Sequence, residues 1–265
     1  MSFRSLGAER AAYFNSAKSC NFLDNYSKYV DRMIAEKSSE VARKTFAPSS
    51  FRCSRRQWFR LRGVEPDKAD PSSSDKYLEF SAEMGTACHR IIQSNLASML
   101  GKDWIDVGEY LEDGHHNLRA GWSCRKSDDS LETFIETSVP PIRFACDGLI
   151  RIDEEVHLLE IKTAEFSTFG EITGPKEKHI DQVNMYCALL GLKTAIFIYQ
   201  DRQYGALKCY EYKVPFGVSE SILRKMEEIQ KLAEYNICPE PLPKGDSWCT
   251  RAMCPYFETC IQYGR

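Results

Sequence analysis

The sequence predicts an α/β protein in which a mixed central sheet is flanked by helices, preceded by an N-terminal helical extension and closed by a C-terminal cysteine cluster. Three observations carry that expectation. Apolar residues recur at helical spacing in 78–100, 176–190 and 218–235, the period changes to two in 142–163 and 194–214, and the two patterns alternate along the chain. With 265 residues, 43% of them hydrophobic and 28% charged, the chain can bury a sizeable core, which excludes a disordered polymer.

Residues 8–46 carry Tyr26, Tyr29, Val30, Met33, Ile34 and Val41 at helical spacing and read as one or two amphipathic helices offering packing or docking surface. Residues 1–47 thus form an extension, and residues 48–265 the main domain. Pro48-Ser49-Ser50 offers an N-cap to a helix over 51–61, and the prolines and serines of 65–76 mark a loop. A helix over 78–100 buries Met84, Cys88, Ile91, Ile92 and Met99. Residues 101–138 are polar and irregular, a connecting region with room for short strands. Strands over 142–150 and 156–163 meet at a turn on Asp153-Glu154. The helix over 176–190 has Pro175 near its first turn and Gly191 at its C-cap, strands over 194–200 and 206–214 form a second hairpin, and 218–235 is a charged amphipathic helix.

The longest apolar stretches, 183–192 and 195–199, fall short of the roughly 20 residues a bilayer requires. Glu9 and Arg10 interrupt any signal-like start, so the expected setting is soluble and intracellular: the cytoplasm or a compartment that holds nucleic acid, with no membrane partner. Thirty-five Lys and Arg against 38 Asp and Glu leave a net charge of −3, so nucleic acid would have to be held by a local basic patch. Residues 52–62 supply one. Arg52, Arg55 and Arg56 can share a helix face, Arg60 follows, and no acid interrupts them. Trp58 and Phe59 either stack on bases or anchor the helix, with packing favoured for Trp58.

Chemistry concentrates on the first hairpin. Alternation places Glu160 and Lys162 on the same side of their strand, and a symmetric turn at Asp153-Glu154 sets Asp147 opposite Glu160. Carboxylates so placed have Cβ atoms about 5 Å apart and repel unless a cation lies between them. Hard oxygen donors suit Mg²⁺ or Mn²⁺, and Lys162 is placed to orient a water and to stabilise charge on a pentavalent phosphorus. Taken alone, Glu-x-Lys also fits an ordinary solvated strand face, His89 a half-buried histidine, and Gln182 with Tyr186 a hydrogen-bonded helix surface.

In combination, Gly85-Thr86-Ala87-Cys88-His89, Cys146-Asp147-Gly148, Glu160-Ile161-Lys162 and Gln182-Val183-Asn184-Met185-Tyr186 resemble the PD-(D/E)XK nuclease superfamily, more narrowly its RecB-like members. The resemblance spans about residues 48–260 and implies a restriction-endonuclease-like fold. It makes His89, Asp147 and Glu160 metal ligands with the Ile161 carbonyl, Lys162 the catalytic lysine, and Gln182 and Tyr186 site-organising or DNA-contacting residues. The implied activity is a metal-dependent DNase, an exonuclease on DNA ends or single strands, with DNA as partner and a role in repair or recombination. No G-x-x-x-x-G-K-[ST] motor motif occurs, so it would act alone or beside a helicase, recombinase or integration partner. The other class of reading is a catalytically silent scaffold that binds DNA or protein in a larger assembly.

Eleven cysteines in a reducing compartment indicate metal or catalysis before disulfides. Cys249, Cys254 and Cys260 crowd the C-terminus. By resemblance to the iron-sulphur subset of RecB-like nucleases, Cys53 joins them to hold a 4Fe-4S cluster; zinc and unliganded thiols are the alternatives. Four residues separate Cys249 from Cys254 where the family more often has two, and no Pro follows Cys53. Cys238 is the next candidate ligand, while Cys88, Cys146, Cys187 and Cys209 read as core thiols.

Overall fold

A computed structural model describes residues 26–32, 44–67, 76–119 and 121–263. Most of the expected extension over 8–46 lies outside the described residues, and 26–32 are helical. Pro48–Ser50 forms a 3-10 turn, and helix α1 begins only at Ser54–Arg62, because Cys53 is extended and its Sγ accepts from Arg56 N at 3.4 Å. The expected N-cap at residues 48–50 is corrected to Cys53. Helix α2, Lys76–Leu100, leads to a region that looked irregular in sequence and holds strand β1 (Trp104–Ile105), helix α3 (Val107–Glu112), β2 (Trp122–Lys126) and β3 (Thr133–Ser138). Asp106 starts α3 by accepting from Gly108 N and Glu109 N.

The expected strand over 142–150 is two strands, β4 (Pro141–Cys146) and β5 (Gly148–Ile152), with Asp147 between them. They belong to different sheets. β2, β3 and β4 form an antiparallel three-stranded sheet, so the single sheet foreseen is corrected to a central sheet plus a second, smaller one. β6 (Glu155–Ala164) returns from β5 through Asp153 and Glu154, both at positive φ as a two-residue hairpin turn demands. Helix α4 (Phe166–Gly170) interrupts the following loop, and α5 (Glu177–Leu190) ends at Gly191 in the left-handed conformation, the cap expected from sequence. Next come β7 (Thr194–Asp201), β8 (Leu207–Lys213), α6 (Val218–Glu234) and α7 (Phe257–Gln262).

The central sheet runs β1-β5-β6-β7-β8, with β6 and β7 parallel and the other pairs antiparallel. Its faces are covered separately. Ile92 of α2 packs with Ile150, Leu159, Ile161 and Ile196, while Leu158 faces the larger core built by Val183, Met185 and Leu189 of α5 with Met226 and Ile229 of α6. Alternation along β6 therefore sends Leu158, Glu160 and Lys162 towards α5, and Leu159 and Ile161 towards α2.

Candidate active site

Asp147 sits where the chain leaves one sheet for the other. Gly148 pairs with Leu159, so the hairpin register sets Asp147 across from Glu160. The backbone is pinned there from α2: Gln93 Nε2 donates to the Asp147 carbonyl at 2.7 Å, and this glutamine is fully buried. Gly148 must be small, because an added Cβ would come within 2.7 Å of the Trp104 ring. Gly85 is a different case. A Cβ there would lie 3.5 Å from Thr163 Oγ1, an ordinary contact, so β6 packs against this face of α2 without requiring glycine.

The Asp147 carboxylate ties both faces of the sheet together. Its Oδ2 accepts from Ile161 N at 2.6 Å, and its Oδ1 meets His89 Nδ1 at 3.1 Å. Because a strand residue's N–H and C=O leave on the same edge, the Ile161 carbonyl points to the Asp147 side as well. Burial pulls the His89 imidazole down, and the hydrogen bond and charge of Asp147 outweigh it, leaving the ring above its ordinary value. Glu160 is 1% exposed. Burial pushes its carboxyl up to about 7, with Lys162 opposing and Asp147 adding to the shift. Lys162 Nζ and Glu160 Oε1 form a close charge pair, yet no aligned hydrogen bond satisfies that buried oxygen. Burial opposes the charged form of Lys162, but Glu160 and Asp147 prevail and keep the ammonium protonated.

From Lys162 the network continues through α5. Lys162 Nζ donates to Gln182 Oε1 at 3.4 Å, and Gln182 Nε2 donates to Tyr186 OH at 2.8 Å. Tyr186 stacks on Phe144 of β4 at 4.8 Å. His89, Asp147, Glu160, Ile161, Lys162, Gln182 and Tyr186 are thus brought together. Two neighbours went unread in the sequence. Gln93 lies one turn beyond His89 on the same face of α2, a spacing that could have revealed it. Glu132, immediately before β3, lies in the electrostatic field of Asp147, His89 and Lys162, and burial first and Asp147 second raise its carboxyl. Nothing in the irregular stretch around it announced that position.

Among the described residues no three His, Cys, Asp or Glu side chains already surround one point as a metal shell. His89 and Ile161 N hold Asp147, and Lys162 holds Glu160. The donor chemistry still fits Mg²⁺ or Mn²⁺: two carboxylates and a carbonyl edge converge.

At the other end of α5, Cys53, Cys249 and Cys254 line one cavity with Arg52, Arg56, Lys178 and Trp248. Cys260 lies on α7. Burial raises the Cys254 thiol, with Cys53 and Cys249 adding and Arg56 opposing; burial also raises Cys238, with Cys260 and Cys53 adding and Arg55 opposing. Cys53 thus neighbours Cys249 and Cys254 on one side and Cys238 and Cys260 on the other, with no ready-made shell of three among the described residues. Thiols so grouped fit either a 4Fe-4S cluster or zinc.

The basic stretch is spent largely on the protein itself. Arg55 is 3% exposed and turned inward, so its expected phosphate contact is withdrawn: α1 buries that face against the C-terminal segment. Arg52 pairs with Glu177 at 2.9 Å and Asp246 at 3.2 Å, and Arg60 Nε donates to Thr45 O at 3.1 Å. Trp58, 2% exposed, donates to Leu232 O at 3.1 Å, as packing requires.

Fold and site together define a mixed α/β protein with a buried carboxylate-lysine network at a strand crossing between two sheets. No protein-family model matches this sequence, and no curated protein does. Among solved structures, SSO0001 aligns over 89% of this chain and 96% of its own at 17% identity and a TM-score of 0.43. The alkaline exonuclease LHK-Exo from Laribacter hongkongensis aligns over 49% of this chain and 63% of its own at 18% identity and 0.35, as does its complex with dAMP. Among the described residues, no helix is long and apolar enough to cross a membrane.

Proposed function

We propose that this chain is a metal-dependent deoxyribonuclease of the PD-(D/E)XK, RecB-like kind, hydrolysing phosphodiesters as an exonuclease on DNA ends or single strands. One observation carries the reading: Asp147 and Glu160 are held face to face in a buried network with Lys162. A binding module gains nothing from two like charges so placed.

His89, Asp147, Glu160 and the Ile161 carbonyl would hold Mg²⁺ or Mn²⁺, which supplies charge stabilisation to the scissile phosphate and a more acidic water. Lys162 keeps its proton and meets the negative charge that develops on the phosphoryl oxygens, while Gln182, itself fixed by Tyr186, holds the ammonium in place. Arg52, Arg56 and Arg60 remain the proposed phosphate contacts outside the centre. Cys53, Cys249, Cys254 and Cys260 hold a structural 4Fe-4S cluster, with zinc as the alternative metal.

Digestion of labelled single-stranded and duplex DNA with Mn²⁺ tests the reading. The wild type should degrade DNA, and Lys162→Ala and Asp147→Ala should each lose about 10²- to 10⁴-fold in rate. Equal degradation by all three proteins would refute this site. DNA binding without cleavage by the wild type would replace the enzyme by a scaffold.

A further inference from the structure

Among the described residues, the interior of the C-terminal clip contains a cation with no carboxylate to answer it. Arg55 Nε donates to Pro239 O at 2.7 Å, and Nη1 donates to Cys260 O at 3.4 Å and reaches Cys260 Sγ at 3.7 Å. Those partners are two carbonyls and a sulphur. Among the described residues no carboxylate lies within ion-pair distance of this guanidinium. Arginine does not deprotonate in proteins, and a buried charge is tolerated when it is paired. Carbonyl dipoles satisfy N–H groups but carry no net charge.

A second guanidinium approaches the same sulphurs. Arg56 Nε is buried and has no hydrogen-bond partner, and Arg56 lines the cavity shared by Cys53, Cys249 and Cys254. Cys53 Sγ also accepts from Arg56 N at the start of α1, where backbone N–H groups favour negative charge. Neutral thiols, which suffice for the Cys53 N-cap, would leave both guanidinium groups without an answering charge among the described residues. Four metal-bound thiolates explain them, because four negative sulphurs exceed the charge of a zinc ion, and equally of an oxidised 4Fe-4S core, by two. Partial neutralisation by fixed guanidinium groups is what such a centre needs in a dry site.

We infer that Arg55 is the built-in counter-charge of a thiolate-held metal centre, a positioning residue whose Nη1 orients Cys260 Sγ towards the metal. The inference rests on the cluster reading above. It goes beyond that reading by giving a residue from the basic stretch a role directed at sulphur instead of at DNA. With iron in the centre, reduction adds an electron to an already negative group, so a neighbouring cation holds the midpoint potential up.

The full chain, purified anaerobically, is assayed for iron, zinc and sulphide, then challenged with EDTA while metal release is followed, and the iron form is titrated with dithionite. Arg55→Gln should fold by far-UV circular dichroism but bind its metal about 10- to 100-fold more weakly and, with iron, titrate at a more negative potential. Arg55→Lys, which keeps the charge, should recover much of the retention. Stoichiometric metal in the wild type with unchanged release and potential in Arg55→Gln would overturn the role of Arg55 and leave the cluster standing. A wild type free of metal would remove the cluster itself. Should Arg55→Gln fail to fold, Arg55→Lys decides: a folded, metal-free Arg55→Lys protein overturns the counter-charge, and a metal-bound one supports it.

Discussion

Glu160 enters the folded protein at a cost that a cation can remove. Its carboxyl rises from an ordinary 4.5 to about 7 in the metal-free protein, so the folded state binds this proton more tightly than the unfolded chain. The resulting stability is fully present below 4.5 and is lost as pH rises through 7. Metal-free protein should therefore soften across that window, and Mg²⁺ should restore it only where the carboxylate is ionised. At pH 8, free Mg²⁺ at about 100 times its Kd should raise Tm by roughly 5–10 °C, with little effect at pH 5. Equal shifts at both pH values would place the ion elsewhere. Glu160→Gln should abolish the Mg²⁺-dependent gain while making the metal-free protein more stable at pH 8, a combination that thermal melts with and without Mg²⁺ detect directly. At this scale the sequence was informative where spacing alone sets geometry: Asp147, Glu160 and Lys162 follow from a two-residue turn and strand alternation, and Gln182 with Tyr186 from one helical turn. Gln93 and Glu132 escaped because they reach the site from elements whose docking no local pattern records.

The crossing of β4 into β5 is what turns a hairpin into a site. Period-two patterning ran through residues 142–150 without a break, and a single residue that changes sheets leaves no mark on that periodicity. The same stretch hid β1, since two residues cannot establish a period. Yet Trp104 of β1 covers Gly148 so closely that the Asp-Gly pair has a steric as well as a chemical reason. Gly148→Ala should cost about 1–3 kcal/mol through displacement of the Trp104 ring, and should lower the proposed nuclease activity by shifting Asp147 next door. Trp104→Ala in the same chain should recover part of the loss relative to Trp104→Ala alone, read from urea midpoints of the four proteins as a double-mutant cycle. Strict additivity would mean that the ring and the strand crossing do not constrain each other.

Across the whole molecule, α1 and the last twenty residues are fastened by contacts that do not depend on the proposed cluster. Asp67 accepts from Glu258 N at 2.6 Å and Thr259 N at 3.0 Å and also binds the Thr259 hydroxyl, supplying the side-chain cap that α7 lacks within its own segment. Phe59 stacks on Tyr256 at 5.4 Å, and Arg52 reaches Asp246. The cysteine pattern, read by resemblance, foretold that the two ends meet. It could not foretell these contacts, because Arg55 is drawn inward by Pro239 and Arg52 is tied by Asp246, partners nearly two hundred residues away. Asp67→Ala should lower stability by about 1–2 kcal/mol, the usual worth of a helix cap, without touching metal content. The same contacts would set the consequence of removing a metal from the proposed cluster. A small zinc finger unfolds on chelation because metal binding is most of its folding energy, whereas here the aromatic stack, the Asp67 cap and the main core persist. Chelated protein should keep its far-UV helical signal at room temperature and melt cooperatively at a lower Tm, and combining chelation with Asp67→Ala should lower Tm by more than the sum of the two separate effects, since each clip then holds the segment the other has released. A coil-like spectrum on chelation alone would mean that the sulphurs, and not these contacts, keep the ends together.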